Sequence, residues 1–285
     1  MKYLTKLSVR SSGEVPHRYL PHWGTAISLL LFVSTAIGQK TSMWELGLGG
    51  VGSFFQDTKY SDVRYGGGGM VFLFDRTAVA EKYVSNYNVT VGFGGESAST
   101  HDADFVSVIH TALSYRYLRS IHGVWRLGGQ LDALDYYLRN SNNLGNNGTY
   151  SITGSQLWAS VQHDLSVKER PLTLGADVGV LTYFRESTGF AFSIPQDAQE
   201  KGEFSYQNES VTSFFSFRNG TFAPLWDRLN FRFRAQYELH RRWAIGYQWQ
   251  FARFATVTNY PTAYGQHRLN LHFRFVHKTT LKSAS

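Results

Sequence analysis

Six charged or titratable side chains near the C-terminus are the residues best suited to chemistry in this 285-residue sequence. They lie in two segments, 229–239 and 266–276, where each alternates with an apolar neighbour. Because a strand sends successive side chains to opposite faces, the alternation places all six on one polar face. Arginine outnumbers acid on that face by four to one. The six are Arg232, Arg234, Glu238, Arg268, His272 and Arg274.

This polar face is compatible with two roles inside a barrel. Buried charges are expected to be paired, and Asp132, Asp164 and Asp177 on earlier segments supply acids for a structural network of Arg–acid pairs. The alternative is a water-filled lumen whose arginine-rich wall favours anions. The two segments alone do not decide between them.

A lipid hydrolase is the enzymatic alternative. Phospholipase-like barrels activate a Ser with a His two residues earlier on the same strand face, and none of the ten His residues has a Ser at that spacing. His163 and Asp164 are adjacent, so a strand would point them to opposite faces. We therefore predict no catalytic residue, no metal site and no cofactor, and consider an enzyme the less favoured alternative.

The segments that carry these residues have period two, and no convincing helical period follows Gln39. Ten segments alternate clearly, and the stretch 186–227 contains either two further short strands or one long loop. Short and long connectors alternate along the chain, which is typical of an up-and-down antiparallel barrel. Parity allows ten or twelve strands, and we favour twelve. The ten segments are 44–55, 64–74, 87–95, 105–118, 125–133, 156–165, 172–180, 229–239, 243–251 and 267–275.

The apolar faces predict contact with lipid. They run for about nine to eleven residues, the length that a tilted strand needs to cross a bilayer. Aromatic side chains near the strand ends suit the interfacial girdles of a membrane barrel. A soluble secreted barrel that binds a ligand is the alternative. The girdle candidates are Trp44, Tyr87, Tyr117, Trp125, Tyr137, Trp243, Phe254 and Phe275.

The N-terminus predicts export. Four basic residues precede the apolar run 26–36, and small residues flank Ile37, which suits cleavage before Gln39. We therefore expect a signal peptide at 1–38, a barrel at 39–277 and a polar tail at 278–285; the long basic region suggests a start codon downstream of Met1. The absence of Cys excludes disulfides, and no Lys/Arg run offers a nucleic-acid surface.

Over residues 40–277 the sequence resembles the outer-membrane β-barrel proteins of Gram-negative bacteria. The resemblance rests on architecture and implies the bacterial outer membrane as location. It also implies contact with outer-membrane lipid and lipopolysaccharide and with the barrel-assembly machinery, for which Phe275 would be the terminal aromatic. We expect a structural barrel or a narrow channel for small polar or anionic solutes.

Overall fold

The computed structural model describes residues 41–58, 63–98, 105–141, 148–188, 220–257 and 259–277. The predicted signal peptide and C-terminal tail lie outside these ranges. No helix that could cross a membrane occurs among the described residues. The strands are β1 Thr41–Asp57, β2 Tyr65–Val79, β3 Tyr83–Ala98, β4 Phe105–His122, β5 Trp125–Ser141, β6 Gly148–Val167, β7 Arg170–Thr188, β8 Thr221–Pro224, β9 Arg228–His240, β10 Trp243–Val257 and β11 Tyr260–His277.

Ten of these strands close into an antiparallel barrel. Each pairs with the next along the chain, β7 pairs with β9, and β1 pairs with β11 to close the sheet. Tight turns such as Lys168–Glu169 and Arg241–Arg242 lie at one rim, here called the short-turn rim. The opposite, long-loop rim carries the longer connections. Lys168 and Glu169 have φ of 50° and 63°, as a two-residue hairpin turn requires.

The favoured count of twelve strands is wrong for the described residues, and the alternative of ten describes the closed barrel. The region 186–227 contributes β8, which pairs with β7 beyond the end of the β7–β9 ladder. β8 and β9 both run antiparallel to β7, so together they form one descending wall. The turn at 225–227 interrupts that wall instead of reversing the chain.

The exposure of side chains on the two faces of the barrel shows whether the apolar face contacts lipid or lines a core. Large apolar side chains are exposed around the outside, for example Leu46 at 50% and Phe72 at 48%, whereas Glu45 and Arg274 in the interior are 4% and 5% exposed. A soluble protein does not expose a continuous apolar belt of this kind. The lipid-facing interpretation is therefore correct, and the soluble barrel is excluded.

Two β-bulges change which face the upper strand residues occupy. β5 has one extra residue between Asp132 and Asp135, and β7 has one at Val180. Since the side-chain period is two, one extra residue exchanges the faces of everything beyond it. Tyr137, predicted for the lipid girdle, is therefore buried in the lumen, 4% exposed. Phe254, also predicted for the girdle, is 3% exposed because it shares the inward face of β10 with Ala252.

The other girdle candidates lie on the outer surface near the rims. Trp44 contacts the outward Phe74, with ring centroids 5.2 Å apart, and Trp243 contacts Phe273 at 4.9 Å. Aromatic rings at these heights suit the boundary between hydrocarbon and water. Five of the eight candidates are clearly exposed: Trp44, Tyr117, Trp125, Trp243 and Phe275.

Candidate functional site in the barrel lumen

The lower half of the lumen, towards the short-turn rim, is a polar cavity of about 460 Å³, here called the lower chamber. Val79 and Val84 line it next to the turn between β2 and β3, and His110 and Gln250 lie at its upper end. Much of the wall consists of short polar side chains, which leave space because they do not reach the barrel axis. The chamber is therefore roomy enough for several water molecules or a small solute.

The chamber wall is balanced in charge. Among the described residues it carries as many carboxylates as guanidinium groups, so the arginine excess inferred from two strands does not extend around the barrel. The acids come mainly from β1, β2 and β5. The wall residues are Arg116, Arg126, Arg232, Arg234, Arg268 and Arg274, and Glu45, Asp75, Asp132, Asp135, Asp164 and Glu238.

Asp132 is the centre of the network in the middle of the lumen. One carboxylate oxygen accepts hydrogen bonds from Trp158 Nε1 at 2.7 Å and from Arg232 Nη2 at 2.9 Å, and the other accepts from Gln130 Nε2 at 2.6 Å. The Arg232 guanidinium also lies 4.2 Å from the Trp158 ring centroid. β9 and β5 are three strands apart, so this ion pair spans the lumen. Charged hydrogen bonds of this kind hold a buried carboxylate rigidly.

Two further arginines complete the middle of the lumen. Arg234 Nη2 donates to Asp177 Oδ1 at 2.7 Å, and both side chains are largely buried. Arg268 Nη2 lies 2.9 Å from His110 Nδ1, while His110 Nε2 lies 2.8 Å from Asp135 Oδ1. Since an arginine only donates, His110 Nδ1 is the acceptor and Nε2 carries the proton given to Asp135. Both ring nitrogens are occupied, so this imidazole is not placed to activate a hydroxyl.

Above this network, near the long-loop rim, aromatic rings from opposite walls meet and form what is here called the upper cap. Tyr137 stacks on Tyr264 with centroids 5.8 Å apart, although β5 and β11 are five strands apart in the ten-strand barrel. Phe55 lies 6.0 Å from Tyr137 and 5.2 Å from Tyr150. The cap consists of Phe55, Tyr137, Tyr150, Ile152, Phe184, Ala223, Ala252, Phe254 and Tyr264.

Two arginines bind the cap to the barrel wall. Arg139 donates from Nε to Glu96 Oε2 at 3.0 Å and lies 4.0 Å from the Phe55 ring centroid. Tyr137 also donates to Glu96, at 3.1 Å. On the other side, the Arg228 guanidinium lies 4.4 Å from the Phe184 ring and donates to Tyr264 Oη. Cation–π contacts are stronger where water is excluded, so these two arginines stabilise the packing of the cap.

At the lower end of the chamber a second cluster gathers around Glu45. Arg274 Nε lies 2.5 Å from Glu45 Oε1 and Arg274 Nη1 pairs with Glu238. Gln236 donates to Glu45 Oε2 at 3.0 Å, and His272 Nδ1 lies 3.5 Å from the same oxygen. Glu45, Asp75 and His272 each offer one potential ligand atom to this cluster. Among the described residues, these three atoms lie within 4.8 Å of one another.

The structure places all six residues singled out in the sequence on the chamber wall, in two groups. Arg232, Arg234 and Arg268 belong to the middle network, whereas Glu238, His272 and Arg274 belong to the lower cluster. His163 and Asp164 lie on opposite faces: His163 stacks on Trp125 at 4.0 Å, and Asp164 faces the chamber. Several partners in the lumen are not among the residues predicted from the sequence: Glu45, Asp75, His110, Glu96, Asp135 and Arg139. The period-two alternation of β1, β2 and β4 places the first three of these on the inner face and could have identified them.

An apolar belt outside, a polar charged interior and closure of all main strands define a membrane-spanning barrel, because only a closed sheet satisfies its backbone within lipid. The protein is an outer-membrane β-barrel protein of the Gram-negative bacterial type and is located in that membrane.

Solved structures of outer-membrane barrels are similar to the chain in fold. The translocator domain of the autotransporter NalP from Neisseria meningitidis aligns over 89% of this chain and 96% of its own, at 11% identity and a TM-score of 0.44. The outer-membrane protease OmpT from Escherichia coli aligns over 84% and 98%, at 6% and 0.48. An outer-membrane channel from Pseudomonas putida F1 aligns over 84% and 97%, at 12% and 0.38. No family model and no curated protein matches the sequence.

Proposed function

We propose that the protein is a plugged outer-membrane barrel that holds its long connections at the cell surface and does not conduct ions at rest. The observation that carries the proposal is the upper cap, in which Tyr137 and Tyr264 meet from opposite walls. Buried rings that meet across the lumen oppose the passage of a hydrated ion. Below the cap, the hydrogen bonds from Arg268 to His110 and from His110 to Asp135 also link β11 to β5, as expected for a structural network.

The charge balance of the lower chamber argues in the same direction. A pore that selects anions exposes unpaired positive charge along its wall. Here Arg232 and Arg234 donate to the carboxylates of Asp132 and Asp177. The carboxylates neutralise these two arginines, which weakens the physical basis for the anion preference that the sequence suggested.

Single-channel recording of the purified protein in a planar bilayer tests the proposal. We expect insertion without a steady current from the wild type, and a steady conductance from the double variant Tyr137→Ala/Tyr264→Ala, because it opens the cap. The matched control Tyr117→Ala removes an outward tyrosine and should stay silent. A steady current from the wild type contradicts the proposal.

A narrow solute channel is the second candidate, and the open volume of the lower chamber favours it. In such a channel the cap would act as the gate. Under asymmetric salt the current would then show weak ion selectivity, because the acids and arginines of the wall balance. Openings of the wild type that Tyr137→Ala makes permanent would support this candidate over the plug.

A further inference from the structure

We propose that the lower chamber binds one divalent transition-metal ion through Glu45, Asp75 and His272. These side chains come from β1, β2 and β11, and their ligand atoms lie within 4.8 Å of one another. Two carboxylates and one imidazole form a donor set for Zn²⁺, Mn²⁺ or Fe²⁺, whereas Ca²⁺ and Mg²⁺ prefer oxygen alone. The chamber supplies the route by which an ion reaches the cluster from the short-turn rim.

His272 is the observation that points to a ligand. It is 7% exposed, and its Nδ1 has no hydrogen-bond partner among the described residues. That nitrogen faces the cluster, 3.5 Å from Glu45 Oε2. An unsatisfied buried nitrogen costs free energy that a bound cation would recover.

Glycines on both sides leave space for this imidazole. A Cβ at Gly246 would lie 2.6 Å from His272 Nε2, and one at Gly47 would lie 3.2 Å from His272 Nδ1. Larger residues at these two positions would push the ring out of its place. The neighbouring strands therefore accommodate the His272 ring in the orientation that aims Nδ1 at the carboxylates.

The net charge of the side chains around the cluster also favours a bound cation. Arg274 is the guanidinium in contact with Glu45 and Glu238, so it neutralises one negative charge of two. Asp75 accepts hydrogen bonds from the neutral amides of Asn88, at 2.8 Å, and Asn86, at 3.5 Å. Arg116 also lies within electrostatic range of Asp75. The three carboxylates still outnumber the two guanidinium groups, so the cluster favours a cation.

Neighbouring side chains already orient the proposed ligands. The two asparagine amides hold Asp75, and Gln236 Nε2 donates to Glu45 Oε2, which retains a second lone pair for an ion. Such supporting hydrogen bonds are typical around metal ligands. The ion would join β1 to β11, the strands that close the barrel, and so would stabilise the closed form.

Calorimetric titration of Zn²⁺ into the metal-free full chain, folded in detergent micelles, tests the site. We expect one Zn²⁺ per barrel, and at least about tenfold weaker binding by His272→Gln and by Asp75→Asn, since even supporting residues of metal sites have effects of this size. His163→Gln is the matched control, because it removes an imidazole from the lipid-facing surface. It should bind as the wild type does. Zn²⁺ should raise the unfolding temperature of the wild type and of this control, but not of His272→Gln.

Wild-type affinity in both cluster variants, or no binding by the wild type, overturns the proposal. If either variant fails to fold, the wild type alone decides. X-ray absorption of its bound Zn²⁺ should show imidazole nitrogen and carboxylate oxygen, and a shell of water oxygen alone would refute the site. None of these measurements depends on conductance, so the metal site and the plugged barrel are tested independently.

Discussion

The upper cap and the lower chamber are built on the same ten strands, yet one is filled and the other is open. Strand number fixes the width of a barrel, so side-chain volume decides what remains inside. Tyr137 and Phe55 reach across the upper lumen, whereas Thr77, Asn86 and Thr173 below leave about 460 Å³ free. The same ten strands thus enclose packed aromatic side chains at one end of the lumen and a polar cavity at the other.

The acidic side chains of the two regions also differ in their partners. Glu96, on the wall beside the cap, is 1% exposed and accepts hydrogen bonds from Arg139, Tyr137 and Ser53. Asp75, in the lower chamber, has amide donors and lies beside the carboxylate of Glu45. Glu96 is thus paired with an arginine where water is excluded, whereas Asp75 is held by neutral amides where water or an ion can enter and the cost of burying charge is lower.

The largest expected effect comes from shrinking a cap residue. Phe55→Ala removes a buried ring from between Tyr137, Tyr150 and Arg139, and should lower the free energy of unfolding by about 3 to 5 kcal/mol. Urea unfolding in lipid vesicles, followed by tryptophan fluorescence, measures it. The neighbouring Phe54→Ala should cost less, because lipid fills the space on the outer surface. Equal losses would show that the cap is not tightly packed.

A smaller effect separates the hydrogen bonds of the cap from its packing. Tyr137→Phe keeps the ring and removes the hydroxyl that donates to Glu96 at 3.1 Å. We expect a loss of about 1.5 to 3 kcal/mol, since the acceptor is charged and buried. Tyr117→Phe on the lipid-facing surface is the matched control and should be nearly neutral. A neutral Tyr137→Phe would mean that Arg139 and Ser53 suffice for Glu96.

The smallest expected effect lies at the rim of the lower chamber. Asp164 pairs with Arg126, and their side chains are 30% and 24% exposed. Asp164→Asn should change the free energy of unfolding by less than about 1 kcal/mol, because water screens a pair at this depth. Asp132→Asn, at a carboxylate 1% exposed, should cost more under the same urea titration. If Asp164→Asn were as costly as Asp132→Asn, the chamber would be drier than its polar wall implies.

Sequence periodicity predicted much of this lumen. Arg232, Arg234, Arg268 and Arg274 could be assigned to the inner face because their strands alternate without a bulge in that region. The same rule fails above the bulge of β5, where Tyr137 and Arg139 move to the inside. A bulge leaves no distinct mark in the local pattern, since it is fixed by pairing with β4 and β6.

By itself, the sequence determined the all-β class, the antiparallel order and the lipid-facing surface, since these follow from alternation and connector length. Only the tertiary structure decided that ten strands close the barrel and that Arg268 meets His110 across the lumen. It also brought together Glu45, Asp75 and His272, for which the sequence predicted no metal site. The physical reason is that alternation is a local property of each strand. Partners across a lumen depend on barrel width and strand register, which exist only after closure.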